Sequence, residues 1–85
     1  MGNYKVYIIK SINQKYYIGQ TNDLEDRLKR HNTNRNKYTK GRGPWEIVIS
    51  YDTETRSEAV KIESYLKKLK NSELAIKYLE KLSMF

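Results

Sequence analysis

The chain predicts a small α/β domain of three strands and three helices in the order β-β-α-β-α-α. Residues 4–10, 15–20 and 45–51 are rich in aromatic and β-branched side chains and alternate with the period of a strand. Two stretches following polar residues, and a third after Asn71-Ser72, carry apolar side chains at helical spacing. No linker, repeat or low-complexity segment interrupts the 85 residues, so residues 1–85 are expected to form a single domain around one modest core.

In the first strand, period two puts Tyr4, Val6 and Ile8 on one face and Lys5, Tyr7 and Ile9 on the other. Ser11 to Gln14 is polar and turn-like, which makes the strand at 15–20 the second arm of a hairpin. The loop carries a parity. A two-residue loop at Asn13-Gln14 would pair Lys10 with Tyr17 and set Tyr7 and Tyr17 on opposite faces. An odd-numbered loop, or a bulge, would set both tyrosines on one face.

After Tyr17-Ile18-Gly19 the pattern changes to a helix over about residues 23–32. Asn22 is placed to cap it, with Glu25 as reciprocal partner. Leu24 and Leu28 mark its buried stripe, while Arg27 and His31, four apart, share a face. Arg35, Lys37, Lys40 and Arg42 then surround Tyr38, with Gly41, Gly43 and Pro44 closing the loop. Cations interleaved with an aromatic ring suit phosphate contact and base stacking; a solvated basic loop has the same composition.

In the third strand Trp45, Ile47 and Ile49 alternate with Glu46, Val48 and Ser50, so both faces are partly apolar, as in a central strand. Thr55-Arg56-Ser57-Glu58 is a capping box that opens the second helix. Ala59, Ile62, Leu66 and Leu69 form its core stripe, with Glu63 at the edge of that stripe. Asn71 and Ser72 end the helix, and Leu74, Tyr78, Leu79 and Leu82 mark a third.

With 17 Lys and Arg against 10 Asp and Glu, the formal charge is +7. A domain that basic favours an anionic partner, and nucleic acid before a membrane, because no long basic amphipathic helix is present. The absence of cysteine excludes disulfides, thiolate metal sites and cysteine nucleophiles, and fits a reducing compartment. The apolar run from Val6 to Ile9 is too short for a signal-peptide core or a membrane span. A cytoplasmic location is expected.

Taken singly, Tyr7, Tyr17, Arg27, His31 and Glu63 have ordinary explanations. The chain has eight tyrosines, and several belong in a core. Arg27 suits a surface ion pair, His31 suits a helix C-terminus, and Glu63 lies four residues before Lys67. As a spaced set they resemble the GIY-YIG endonuclease superfamily. Tyr17-Ile18-Gly19 matches the second signature; Lys5-Val6-Tyr7 matches the first, with Lys5 in place of its glycine. Gln20 to Leu24, Arg27, His31-Asn32, Trp45 to Val48, Ser57 to Ala59 and Ile62-Glu63 match the remaining pattern over residues 4–70.

The resemblance implies a small three-stranded antiparallel sheet flanked by three helices. It implies hydrolysis of a DNA phosphodiester, duplex or branched, with one divalent cation, Mg²⁺ or Mn²⁺, and a place in DNA repair or recombination. Carried over, Tyr7 is the general base or orienter of the attacking water, and Tyr17 helps position water or phosphate. Arg27 binds the scissile phosphate, His31 contacts phosphate or assists proton transfer, and Glu63 is the sole protein ligand of the metal. A tyrosine is a weak base at its ordinary pKa of about 10, so the metal and Arg27 would have to favour its phenolate. Arg35, Lys37, Tyr38, Lys40 and Arg42 are the expected nucleic-acid contacts. Asn71 is a further match, at short spacing. The alternative is a binding module on the same fold with little or no cleavage. A domain this small leaves room for an unidentified protein partner that supplies targeting.

Overall fold

The computed structural model describes residues 4–33 and 44–84. β1 (Tyr4–Ser11), β2 (Tyr16–Thr21) and β3 (Trp45–Thr53) form one antiparallel sheet in the order β2-β1-β3. α1 (Leu24–Asn32) follows β2, and α2 (Arg56–Leu69) and α3 (Ser72–Leu82) follow β3. The β-β-α-β-α-α order and the antiparallel sheet agree with the sequence reading. Arg35, Lys37, Tyr38, Lys40 and Arg42 lie outside the described residues.

β1 is the central strand, and its alternation divides the core as the sequence indicates. Val6 and Ile8 face α2 and α3, packing with Ala59, Leu66, Ala75 and Leu79. Tyr7 and Ile9 face the other way, packing with Trp45, Leu24 and Leu28. Lys5, which stands where the family signature has glycine, forms a cross-strand ion pair with Asp52 on β3.

The hairpin resolves the parity. Ser11 N–H donates to Lys15 O at 2.8 Å, Gln14 N–H donates to Ser11 O at 3.0 Å, and Gln14 takes a left-handed φ of 64°. The loop is thus Ile12-Asn13-Gln14, a turn closed by a left-handed residue. Lys10 pairs with Tyr16 rather than Tyr17, and Tyr7 pairs with Gly19. Tyr17, two residues from Gly19, therefore shares the face of Tyr7.

Local expectations change at three points. β3 is an edge strand, not a central one, and a β-bulge at Val48 breaks its alternation, because Ile8 pairs with Ile49 while Ile9 pairs with Ile47. The bulge sends Ile49 to the α2 and α3 side and Trp45 to the side of Tyr7. The cap of α1 is Asp23, not Asn22. Thr21 Oγ1 accepts from Asp23 N–H at 3.1 Å, which keeps Asp23 extended, and Asp23 Oδ1 then accepts from Asp26 N–H at 3.1 Å. Leu74 is 51% exposed, and Ala75 takes the buried place in α3 beside Leu79. The Thr55 cap forms as expected, with Glu58 N–H donating to Thr55 Oγ1 at 3.2 Å.

Candidate active site

Gly19 is the hinge of the site's geometry. A methyl group there would lie 2.6 Å from Tyr7 Oη, so the bare glycine lets the Tyr7 ring lie across β2. The hydroxyl end of Tyr7, rooted on the central strand, reaches the strand's outer neighbour by this route. Tyr17 stands beside it, with ring centroids 6.2 Å apart.

α1 supplies the next two groups. Its last turn places His31, fully buried, with Nε2 3.0 Å from Tyr7 Oη and its ring 4.8 Å from that of Tyr17. One turn earlier, Arg27 stands close enough to the Tyr7 hydroxyl to lower its pKa. The i, i+4 spacing read from the sequence is therefore what brings a guanidinium and an imidazole to one phenol. Glu63, from α2, completes the set: its carboxylate is close enough to act electrostatically on Tyr7. Its side chain is 19% exposed and pairs with Lys67 Nζ at 2.9 Å.

Electrostatics fix the resting protonation. Burial pushes the Tyr7 pKa well above the ordinary tyrosine range; the neighbouring Tyr17 and the Glu63 carboxylate push the same way, while Arg27 pulls against them. Burial lowers the pKa of His31, and the Arg27 charge lowers it further. Tyr7 is thus a neutral phenol and His31 a neutral imidazole near pH 7. In the tautomer that carries its proton on Nδ1, the Tyr7 hydroxyl donates to Nε2 and keeps its lone pairs for other donors. The phenolate expected from the sequence is disfavoured by every one of these causes except Arg27.

Asn32 contributes a contact that the sequence did not assign. Its side chain accepts from Trp45 N–H at 2.6 Å and donates to Trp45 O at 3.1 Å, tying the end of α1 to the start of β3. The Trp45 ring, 6.4 Å from that of His31, walls the buried imidazole. An Asn directly after a helical His was the available signal. Asn71 has a different place: its Oδ1 caps α3 by accepting from Leu74 N–H at 3.0 Å.

The structure therefore brings Tyr17, Arg27, His31 and Glu63 together around Tyr7. Residues 3–78 match the model of the GIY-YIG catalytic domain. The chain belongs to the GIY-YIG catalytic domain family. That family is a nuclease superfamily whose members act on DNA. The chain is 42% identical over 77 residues to the UPF0213 protein YazA of Bacillus subtilis, covering 87% of this chain and 78% of that one. It is 46% identical over 65 residues to the UPF0213 protein CPE1444 of Clostridium perfringens, covering 75% and 70%. A solution NMR structure of the UPF0213 protein BH0048 from Bacillus halodurans is 33% identical, covers 76% of this chain and 70% of that one, and superposes with a TM-score of 0.48. No helix among the described residues is long and apolar enough to cross a membrane.

Proposed function

We propose that this GIY-YIG domain is a metal-dependent DNA endonuclease, acting in the cytoplasm on phosphodiester bonds. The observation that carries the proposal is the single buried phenol on which an imidazole, a guanidinium and a carboxylate all act. A structural tyrosine needs one hydrogen-bond partner. Tyr7 has an imidazole partner, and a guanidinium and a carboxylate also act on it.

The donor set fits one hard cation. Glu63 is an oxygen ligand with a partly exposed side chain, and Mg²⁺ or Mn²⁺ commonly uses one or two carboxylates and takes its other ligands from water and substrate phosphate. Among the described residues no group of three or more His, Cys, Asp or Glu is placed to hold a metal, and Glu63 is the single ligand that the family resemblance implies. When bound there, the cation would supply Lewis acidity at the phosphate.

The chain's own residues would do the rest. Arg27 would bind the scissile phosphate and offset the charge that grows on it. Tyr17 would form the wall that positions phosphate or water. Tyr7 Oη would orient the attacking water, and the neutral His31 Nε2 would receive the proton that Tyr7 gives up as it takes one from water. This relay avoids a free phenolate in a buried place. It assigns His31 to proton transfer rather than to phosphate contact.

The binding-module alternative draws on one contact, the ion pair of Lys67 with Glu63, which is also the ordinary structural use of that carboxylate. Glu63→Gln separates the two. The change keeps the size of the side chain and costs about 0.3–0.5 kcal/mol of stability through the lost i, i+4 pair. A nuclease should lose cleavage steeply while keeping or gaining DNA affinity, since a negative charge facing phosphate is gone. Equal cleavage by wild type and Glu63→Gln removes Glu63 from the site. No cleavage by wild type on plasmid, single-stranded, branched or RNA substrates with Mg²⁺ or Mn²⁺ favours the binding module.

A further inference from the structure

We infer that a cleft beside Tyr17, walled by Tyr16, Ile18, Leu66, Lys67 and Lys70, seats one unpaired nucleotide of the substrate strand next to the bond that is cut. The inference rests on the nuclease reading and names the form of its substrate.

Position is the first argument. The cleft encloses about 460 Å³. It shares Tyr17 with the site, and its wall includes Lys67, the residue paired with Glu63. A group lying in it is one residue of chain away from the catalytic edge.

Its chemistry is the second. Tyr16 is 38% exposed on an edge strand, and Lys67 and Lys70 stand with it in the cleft wall. An aromatic floor with apolar sides and lysines at the rim matches a base that stacks while its phosphate meets cations. A nucleobase inside a duplex has both faces covered by its neighbours and cannot enter; an unpaired one can.

Lys70 is the third. It caps α2 in the left-handed region, with φ 50° and ψ 32°. Glycine occupies that conformation without cost, whereas a lysine is strained there. Lys70 nonetheless stands at the cap and contributes to the cleft wall. The other end of β2 differs. There a groove of about 230 Å³ is lined by Tyr4, Gln20, Thr21, Asn22, Arg27 and Arg56, whose two guanidiniums suit backbone phosphates. The strand would run along β2 with its backbone at the Thr21 end and an exposed base at the Tyr16 end.

The test measures binding, not cleavage. A labelled single-stranded oligonucleotide, and the same strand annealed to its complement, are titrated with the full chain in EDTA. Wild type should bind the single strand more tightly. Tyr16→Leu should weaken single-strand binding by roughly 5- to 100-fold and leave duplex binding near wild type. Lys70→Gly should melt no lower than wild type, yet reduce the salt slope for the single strand by about 0.7. A loss of stability without a loss of binding in Lys70→Gly would overturn the proposal. So would equal wild-type affinity for both probes, or variants that bind as wild type does. If Tyr16→Leu changed only the oligomeric state in sedimentation, the cleft would be a contact between copies, and the proposal would also fall. Absence of cleavage with Mg²⁺ or Mn²⁺ would defeat the nuclease reading without moving any of these binding results.

Discussion

Gly19→Ala should cost both stability and activity, for a reason set by distances. The new methyl group would lie 2.6 Å from Tyr7 Oη, 2.7 Å from Tyr7 Cζ and 3.1 Å from Tyr17 Cε1. Favourable carbon contacts lie at about 3.5–4.0 Å, so the Tyr7 ring must retreat by about 1 Å. Tyr7 is 1% exposed and has little free space to retreat into. Overpacking of that kind costs about 1–3 kcal/mol, and a weakened hydrogen bond to His31 adds about 0.5–1.5 kcal/mol. Alanine's lower chain entropy in the unfolded state returns about 0.5–1 kcal/mol. A net loss of about 2 kcal/mol corresponds to a fall of about 8–16 °C in melting temperature for a domain of this size. Cleavage should fall by about 100-fold, since the phenol is displaced from its partners. Thermal melts and cleavage rates of wild type, Gly19→Ala, Tyr7→Leu and the double variant check this. The shorter leucine removes the clash, so the double variant should be less destabilised than the sum of the singles. An alanine variant that melts and cleaves as wild type does would refute the close approach.

Two further outcomes follow. The lowered pKa of His31 means that the folded state takes up its proton at a lower pH than the unfolded chain, whose histidine titrates near about 6.5. Stability from this group is therefore complete above about pH 6.5 and is lost as pH falls from there through the native pKa, by at most about 1.4 kcal/mol per pH unit. Urea midpoints at neutral and mildly acidic pH, for wild type and His31→Gln, should show a larger acid loss in wild type; equal slopes would contradict the burial argument. Replacing Arg35, Lys37, Lys40 and Arg42 with serine should weaken DNA binding similarly across sequences and reduce the salt slope by about 0.9 for each phosphate no longer neutralised; an unchanged slope would make them a solvated loop.

The elements were legible because their signals are local. Period two in residues 4–10 and helical spacing from Ala59 to Leu69 each name a face. Arg27 and His31 were legible as a pair for the same reason. What escaped was decided by one atom or one residue. Asn22 and Asp23 are equally good caps by type, and the Thr21 hydroxyl chose between them. Val48 carries no sign of a bulge, since a valine suits either register. The hairpin loop has no Asn-Gly or Asp-Gly, so Gln14 in the left-handed region could be posed as a parity question but not answered. The protonation of Tyr7 was not legible at all. It depends on burial and on charges from β2, α1 and α2, which only the fold brings to one place.

That protonation decides what the cluster can do. Three causes hold the proton on Tyr7: its burial, the nearby Tyr17 and the carboxylate of Glu63. Arg27 alone among the charges acting on it favours release. Burial, and after it the same guanidinium, also keeps His31 from charging, so that in the Nδ1–H tautomer Nε2 has a lone pair to which the phenol donates. Arg27 thus acts on both ends of one hydrogen bond, loosening the proton at the donor and keeping the acceptor unprotonated. If Arg27 binds a phosphate as proposed, its hold on His31 would weaken and the imidazole would become a better base. Among the protein's own groups, burial and the Glu63 carboxylate thus hold the proton on Tyr7 against the pull of Arg27, with His31 Nε2 3.0 Å away.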